Sequence, residues 1–146
     1  MFKHILIATD GSDFAQKEVV QGIELAGQLN AKVSVLTVTK PWWTEVGGFW
    51  IPSPSVVRAY EKSTAESVAK IASFVSEVAK EKEITCSVLH IKEGHPVDGI
   101  IEGARKSGCD LIVMGSHRRR ARGRMLLGSV TTGVVAQSAV PVLVCR

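Results

Sequence analysis

The segment Asp110-Leu111-Ile112-Val113-Met114-Gly115-Ser116-His117, followed further on by Gly128-Ser129-Val130-Thr131, decides how this chain is read. A short apolar run closed by turn residues reads as a strand buried on both faces. It ends in a glycine, and thirteen residues later a second glycine opens a stretch that reads as a helix. Glycine lets a backbone come close to a ligand. A helix N-terminus presents N–H groups without intrahelical partners, at the positive end of a dipole. Together the two glycines frame a phosphate site, and nucleotide binding is the expectation.

The residues between those glycines carry the charge of the chain. Arg118, Arg119, Arg120, Arg122 and Arg124 lie within seven positions. They outnumber the net charge of +4, so the remainder of the chain is slightly acidic at −1. Basicity confined to one loop argues for a local anion site and against a broad nucleic-acid face.

Working outward, the same alternation recurs from the start of the chain. Lys3 to Thr9 is an apolar run read as a buried strand, and Asp10-Gly11-Ser12-Asp13 is a turn with helix-capping chemistry. Ala15, Val19, Ile23, Ala26 and Leu29 follow at the spacing of one helix face. Lys32 to Thr39 reads as a second strand. Val57, Tyr60, Thr64, Val68, Ile71, Val75 and Ala79 mark a long helix, and Ile84 to Ile91 a third strand. Pro96 suits the first position of a short helix, which Ser107-Gly108 stops. A last helix runs from Gly128 to about Ser138, and Val140 to Val144 forms the fifth strand. Strands alternating with helices give an α/β domain with a parallel sheet covered on both faces. Ligands of such sheets bind beyond the carboxyl ends of the strands, where Asp10, Val38 and Gly115 all fall.

The connection from Lys40 to Ser55 breaks this regularity. It holds all three tryptophans, Trp42, Trp43 and Trp50, with Phe49, three prolines and Gly47-Gly48. A connection of this length is a lid, a binding loop, a partner surface, or a loop pinned to the body by its aromatics.

At 146 residues the chain is expected to form one domain, 1–146, with a core that needs no disulfide. Cys86, Cys109 and Cys145 are odd in number and far apart, which suits buried thiols rather than a disulfide framework. No apolar run reaches the roughly 18 residues of a membrane span. Met1-Phe2-Lys3-His4 leads straight into a strand without signal-peptide features, so the expected location is the cytoplasm.

Along its whole length the chain resembles the universal stress protein family. The resemblance is carried by Ile-Leu-Ile-Ala-Thr-Asp-Gly-Ser at 5–12, Gly-His-Pro at 94–96, and Asp-Leu-Ile-Val-Met-Gly-Ser-His at 110–117. Leu-Leu-Gly-Ser-Val at 126–130 and Val-Pro-Val-Leu-Val at 140–144 complete it. It implies a single flavodoxin-like, Rossmann-like three-layer sandwich with a five-stranded parallel sheet. It also implies a homodimer, pairing through the C-terminal strand, residues 141–145. One branch of the family binds ATP, with the pattern G-x2-G-x9-G-[S/T]. Gly115 fits its first glycine and Gly128-Ser129 its last pair. Arg118 stands where the pattern has its middle glycine. A non-glycine in a left-handed conformation costs roughly 1–2 kcal/mol. A guanidinium paired with phosphate contributes roughly 1.5–3 kcal/mol, enough to offset that strain.

The nucleotide-binding set expected from the motifs and the resemblance is Ala8, Thr9, Asp10, Val38, Met114, Gly115, His117, Arg118, Gly128, Ser129, Val130 and Thr131. Asp10 is implied to sit near the nucleoside, with capping of the next helix as the competing role. The Val38 backbone is implied to contact adenine. Ser129, Val130 and Thr131 offer N–H groups and hydroxyls to phosphate, with an ordinary N-cap as the alternative for Ser129. His117 reaches ribose or phosphate, or is a solvated loop residue.

There is no Walker motif and no dinucleotide fingerprint. Cys86, His90 and His95 lack metal-ligand spacing, and no nucleophile–base–orienter set can be assembled. The expectation is thus a stress-linked sensor or regulator that holds ATP, with or without Mg²⁺, and signals to unidentified protein partners. Any catalysis would be slow hydrolysis of bound ATP. The alternative is a nucleotide-free homodimeric interaction module working through the 40–55 loop. No specific nucleic acid and no membrane are expected as partners.

Overall fold

A computed structural model describes residues 1–45, 51–116 and 127–146. Five strands form one sheet in the order β3-β2-β1-β4-β5, every neighbouring pair parallel. The strands are β1 (His4–Ala8), β2 (Lys32–Val38), β3 (Cys86–Ile91), β4 (Leu111–Gly115) and β5 (Val142–Cys145). The helices are α1 (Asp13–Leu29), α2 (Pro54–Glu81), α3 (Pro96–Ser107) and α4 (Ser129–Gln137).

The strand period of two divides the apolar residues between two cores. Ile5, Ile7, Val33, Val35 and Val113 face α1 and α2, where they meet Val19, Ile23, Ile71 and Val75. Leu6, Ala8, Leu36, Ile112 and Met114 face the other way, with Ile100 and Ala104 of α3 and Val134 of α4. Because β1, β2 and β4 are covered on both faces, their sequences are continuously apolar rather than alternating. The chain fills the sheet outward from β1 through β2 to β3, then crosses back to place β4 on the other side of β1. That reversal makes the β1–β4 boundary the switch point, where the following connections diverge and leave a crevice.

The elements differ from the sequence reading at their ends. Three residues of the Lys40–Ser55 connection, Trp42–Thr44, form a 3₁₀ turn. The connection closes earlier than expected because Pro54, suited to a first helical turn, already belongs to α2. Its residues 46–50, Trp50 among them, lie outside the described residues. β3 begins at Cys86, two residues later than expected. Glu83 turns left-handed at φ 54° and the Ile84 N–H bonds back to the Ala79 carbonyl, so Ile84 packs on the core without joining the ladder. β5 begins at Val142, two residues later than expected, and is an edge strand, a place where the neighbouring Pro141 is tolerated.

Candidate functional site

β1, β2 and β4 end together, and α3 and α4 start above them. Between these elements lies a cavity of about 360 Å³. It is lined by Ala8, Thr9, Asp10, Leu36, Val38, Lys40, Pro96, Ile100, Met114, Gly115, Gly128, Ser129, Val130 and Thr131. Ten of the twelve residues expected from the sequence stand in this lining. The other two, His117 and Arg118, lie outside the described residues.

At the α4 end of the cavity, the helix starts with no side-chain cap among the described residues. Its N-cap is Gly128, with φ −61° and ψ 158°, and Ser129 is the first helical residue rather than the cap. The first backbone bond of the helix runs from the Thr132 N–H to the Gly128 carbonyl at 2.8 Å. The N–H groups of Ser129, Val130 and Thr131 therefore precede the helix's own bonding and sit at its positive end. Hydrogen bonds lace this helix start to the end of β4. The Thr131 hydroxyl, buried, donates to the Gly115 carbonyl at 2.9 Å. The Gly128 N–H donates to Ser116 Oγ at 3.2 Å, and the Ser116 N–H to the Cys145 carbonyl at 3.1 Å. Thr131 thus spends its hydroxyl proton on the scaffold, and Ser116 joins the site as a positioning residue. Neither role is visible in spacing alone.

At the opposite end the wall is apolar, with Ala8, Leu36, Val38, Pro96, Ile100 and Met114, a slot suited to a flat ring. The Thr39 N–H and carbonyl bond toward β3, to the Ile91 carbonyl and the Gly94 N–H. Backbone groups alternate along a strand, so those of Val38 face the β1 side. There the β1–β2 register has already ended at Ala8↔Leu36, with one further bond from the Thr9 N–H to the Leu36 carbonyl at 2.9 Å. One N–H and one carbonyl of Val38 consequently point toward the crevice. That pair matches an edge carrying one acceptor and one donor, such as the N1 and N6 positions of adenine.

The turn after β1 resolves the two roles proposed for Asp10. Ser12 caps α1, its hydroxyl accepting from the Ala15 N–H at 3.3 Å. Asp10 Oδ1 accepts from the Ser12 N–H at 2.9 Å and Thr9 Oγ1 from the Gly11 N–H at 3.2 Å. Gly11, at φ +78°, supplies the left-handed step of this turn. Asp10 is therefore a turn-forming residue on the exposed rim of the cavity and not the helix cap. Across the rim, the Lys40 carbonyl accepts from the Tyr60 hydroxyl of α2 at 2.7 Å.

Gly115 has a packing reason beside the one its place in the motif implies. A methyl group placed on it would run into the carboxylate of Glu18 on α1, on the side of β4 facing away from the cavity. The absence of a side chain there makes room for Glu18. Leu36, Lys40, Pro96 and Ile100 were missed as lining residues because their apolar or terminal positions read as core and helix start. Among the described residues no group of three or more His, Cys, Asp and Glu side chains gathers as a metal site. His90 instead bonds Thr39 at 2.8 Å, and burial followed by the Lys92 charge holds its pKa below the ordinary value.

A doubly covered parallel sheet with its cavity at the switch point defines a flavodoxin-like α/β domain. The chain matches the universal stress protein family over residues 1–146 and belongs to it. It is similar to the universal stress protein YxiE of Bacillus subtilis, 30% identical over 150 residues covering all of both chains. Its fold is that of a universal stress protein solved in complex with cAMP, with a TM-score of 0.72, 23% identity, and 99% and 97% of the two chains covered. A universal stress protein from Archaeoglobus fulgidus solved in complex with dAMP superposes with a TM-score of 0.63 at 20% identity, covering 99% of this chain and 98% of that one. At these identities the two structures speak to fold, and their ligands are properties of those proteins.

Proposed function

We propose that this chain binds an adenine nucleotide, ATP with or without Mg²⁺, and acts as a sensor or regulator rather than a metabolic enzyme. The observation that carries this reading is the start of α4. Three backbone N–H groups, with no capping side chain among the described residues, border an apolar cavity at the switch point of the sheet. The backbone pair of Val38 suits the base, the apolar wall its faces, and the helix start its phosphates. Asp10 stands at the rim on the nucleoside side. Relatives of the same fold solved with cAMP and dAMP add support. The protein works in the cytoplasm in this reading, and among the described residues no helix is long and apolar enough to cross a membrane. Two copies pair through residues 141–145. Supporting this are the edge position of β5 and the exposed Leu143, since a bare apolar edge invites pairing. Protein partners then read the difference between loaded and empty states.

A second reading, a nucleotide-free interaction module, draws on the exposed side chains of Trp43, Ile51 and Val56 along the 40–55 connection and the start of α2. Calorimetric titration of ATP, with and without Mg²⁺, into the parent protein and Arg118→Gly separates the two. Binding by the parent is the expected result. No binding by the parent with gain in Arg118→Gly overturns it and favours the interaction module.

A further inference from the structure

Glu18 carries the one buried carboxylate among the described residues, and the reading above gives it no part. It rises from α1, is 8% exposed, and occupies the space beside Gly115 where a side chain would stand. Burial and then the Glu18 charge raise the pKa of the Cys145 thiol, so the carboxylate also acts on the end of β5. On the cavity side of the same glycine, its carbonyl holds the Thr131 hydroxyl, and Thr131 contributes one of the three amides at the start of α4. A single strand backbone separates a negative charge from a cradle suited to anions.

We propose that Glu18 sets the charge preference of this site, weakening binding in proportion to the negative charge a ligand brings to the start of α4. Relative to a site without this carboxylate, preference shifts toward nucleotides with fewer phosphate charges. This rests on the nucleotide reading given above and names the selectivity of that same site. The sign follows from charge alone. Whatever else the carboxylate touches, neutralising it leaves the end of β4 one unit less negative. Ligand charge at the helix start feels that change, while a neutral nucleoside in the apolar slot does not.

The test titrates adenosine, AMP, ADP and ATP, without Mg²⁺ and at low ionic strength, into the parent protein, Glu18→Gln and Glu18→Ala. Low salt keeps the charge effect unscreened. Adenosine affinity is expected to stay within about twofold of the parent value. The gain then grows from AMP to ADP to ATP by roughly two- to fourfold per added charge, the Coulomb effect over about 10 Å at an effective dielectric of about 40 to 80. A merely structural role would move all four ligands together. A gain equal for all four, no gain, or a loss that grows with charge overturns the proposal and leaves nucleotide binding standing. Failure of all four ligands to bind either protein overturns both. Should Glu18→Gln not fold, Glu18→Ala, which opens the space beside Gly115, carries the same comparison. The Cys145 thiol gives a readout without any ligand. Its alkylation by iodoacetamide at about pH 8 is expected to quicken in Glu18→Gln, because removing the charge lowers its pKa. An unchanged rate means that Glu18 carries no charge there, and overturns the proposal.

Discussion

α1 and α4 both start at the carboxyl end of the sheet, and they start in opposite ways. α1 is closed by its own sequence: Ser12 accepts from the Ala15 N–H, and Asp13 places a carboxylate in the first turn. α4 has glycine at the N-cap, no capping side chain and no acidic residue in its first turn. Among the described residues, the bonds that reach this region, from Thr131 to Gly115 and from Gly128 to Ser116, tie the helix to the end of β4 and leave its leading amides uncovered. One helix start is complete in itself. The other is tied to β4 and, among the described residues, has no capping side chain where it borders a cavity, the arrangement on which the proposed anion site rests.

The strongest way to break this contrast is at the contact between α1 and β4, the strand that precedes α4. Gly115→Ala drives a methyl group into the buried Glu18 carboxylate, and overpacking of this kind costs about 1–3 kcal/mol. Urea denaturation should record that loss in Gly115→Ala and a substantial recovery in the double variant with Glu18→Ala. A loss that Glu18→Ala fails to relieve would mean that the Glu18 carboxylate is not what the added methyl group meets. Next in size, the two caps can be exchanged in kind. Ser12→Ala should remove about 1 kcal/mol of stability and leave nucleotide affinity unchanged. Gly128→Asn, which gives α4 a cap of its own, should alter stability by only a few tenths of a kcal/mol. It should nevertheless weaken ATP binding at least tenfold by calorimetry, because the new side chain occupies the amides.

The smallest effect sharpens the comparison at the opposite end of the sheet. There the amides of Lys3 and His4 donate to the Asp110 carboxylate at 2.8 and 3.0 Å. Burial works against ionisation of Asp110, but these bonds outweigh it and hold its pKa below the ordinary carboxylate value. A depressed carboxylate pKa contributes stability above the unfolded value, and that contribution is lost as pH falls through the folded one. Thermal melts should therefore show parent and Asp110→Asn separated at neutral pH and converging below about pH 4.

The order of elements was legible because strands covered on both faces write themselves as apolar runs, as in Leu111–Gly115, and the helices between them keep their 3.6-residue stripe. The cavity lining was legible for a related reason. Asp10, Val38, Gly115 and Ser129 each lie at an element end, and a parallel sheet brings such ends to one edge. What the sequence did not disclose depends on meetings between distant segments. Glu18 belongs to the α1 face marked by Ala15 and Val19, but nothing local says that its carboxylate will stand behind Gly115, 97 residues away. The turn before α1 offered both Asp10 and Ser12 as caps and Ser12 takes the role, whereas at α4 the cap falls on Gly128 one residue before Ser129, because a turn of a few residues offers several groups to the same amides. Arg118, the departure from the family pattern, and His117 lie outside the described residues.

The short bonded path from the Gly128 N–H to Ser116 and on to the Cys145 carbonyl joins the open helix start to the last strand of the sheet. If copies of the chain pair along that strand, filling the crevice and joining two chains become linked equilibria. Ligand affinity would then vary with protein concentration, and dimer strength with ligand concentration, by the same factor. A cell could in that way register how much of this protein it contains through the same site that registers a nucleotide.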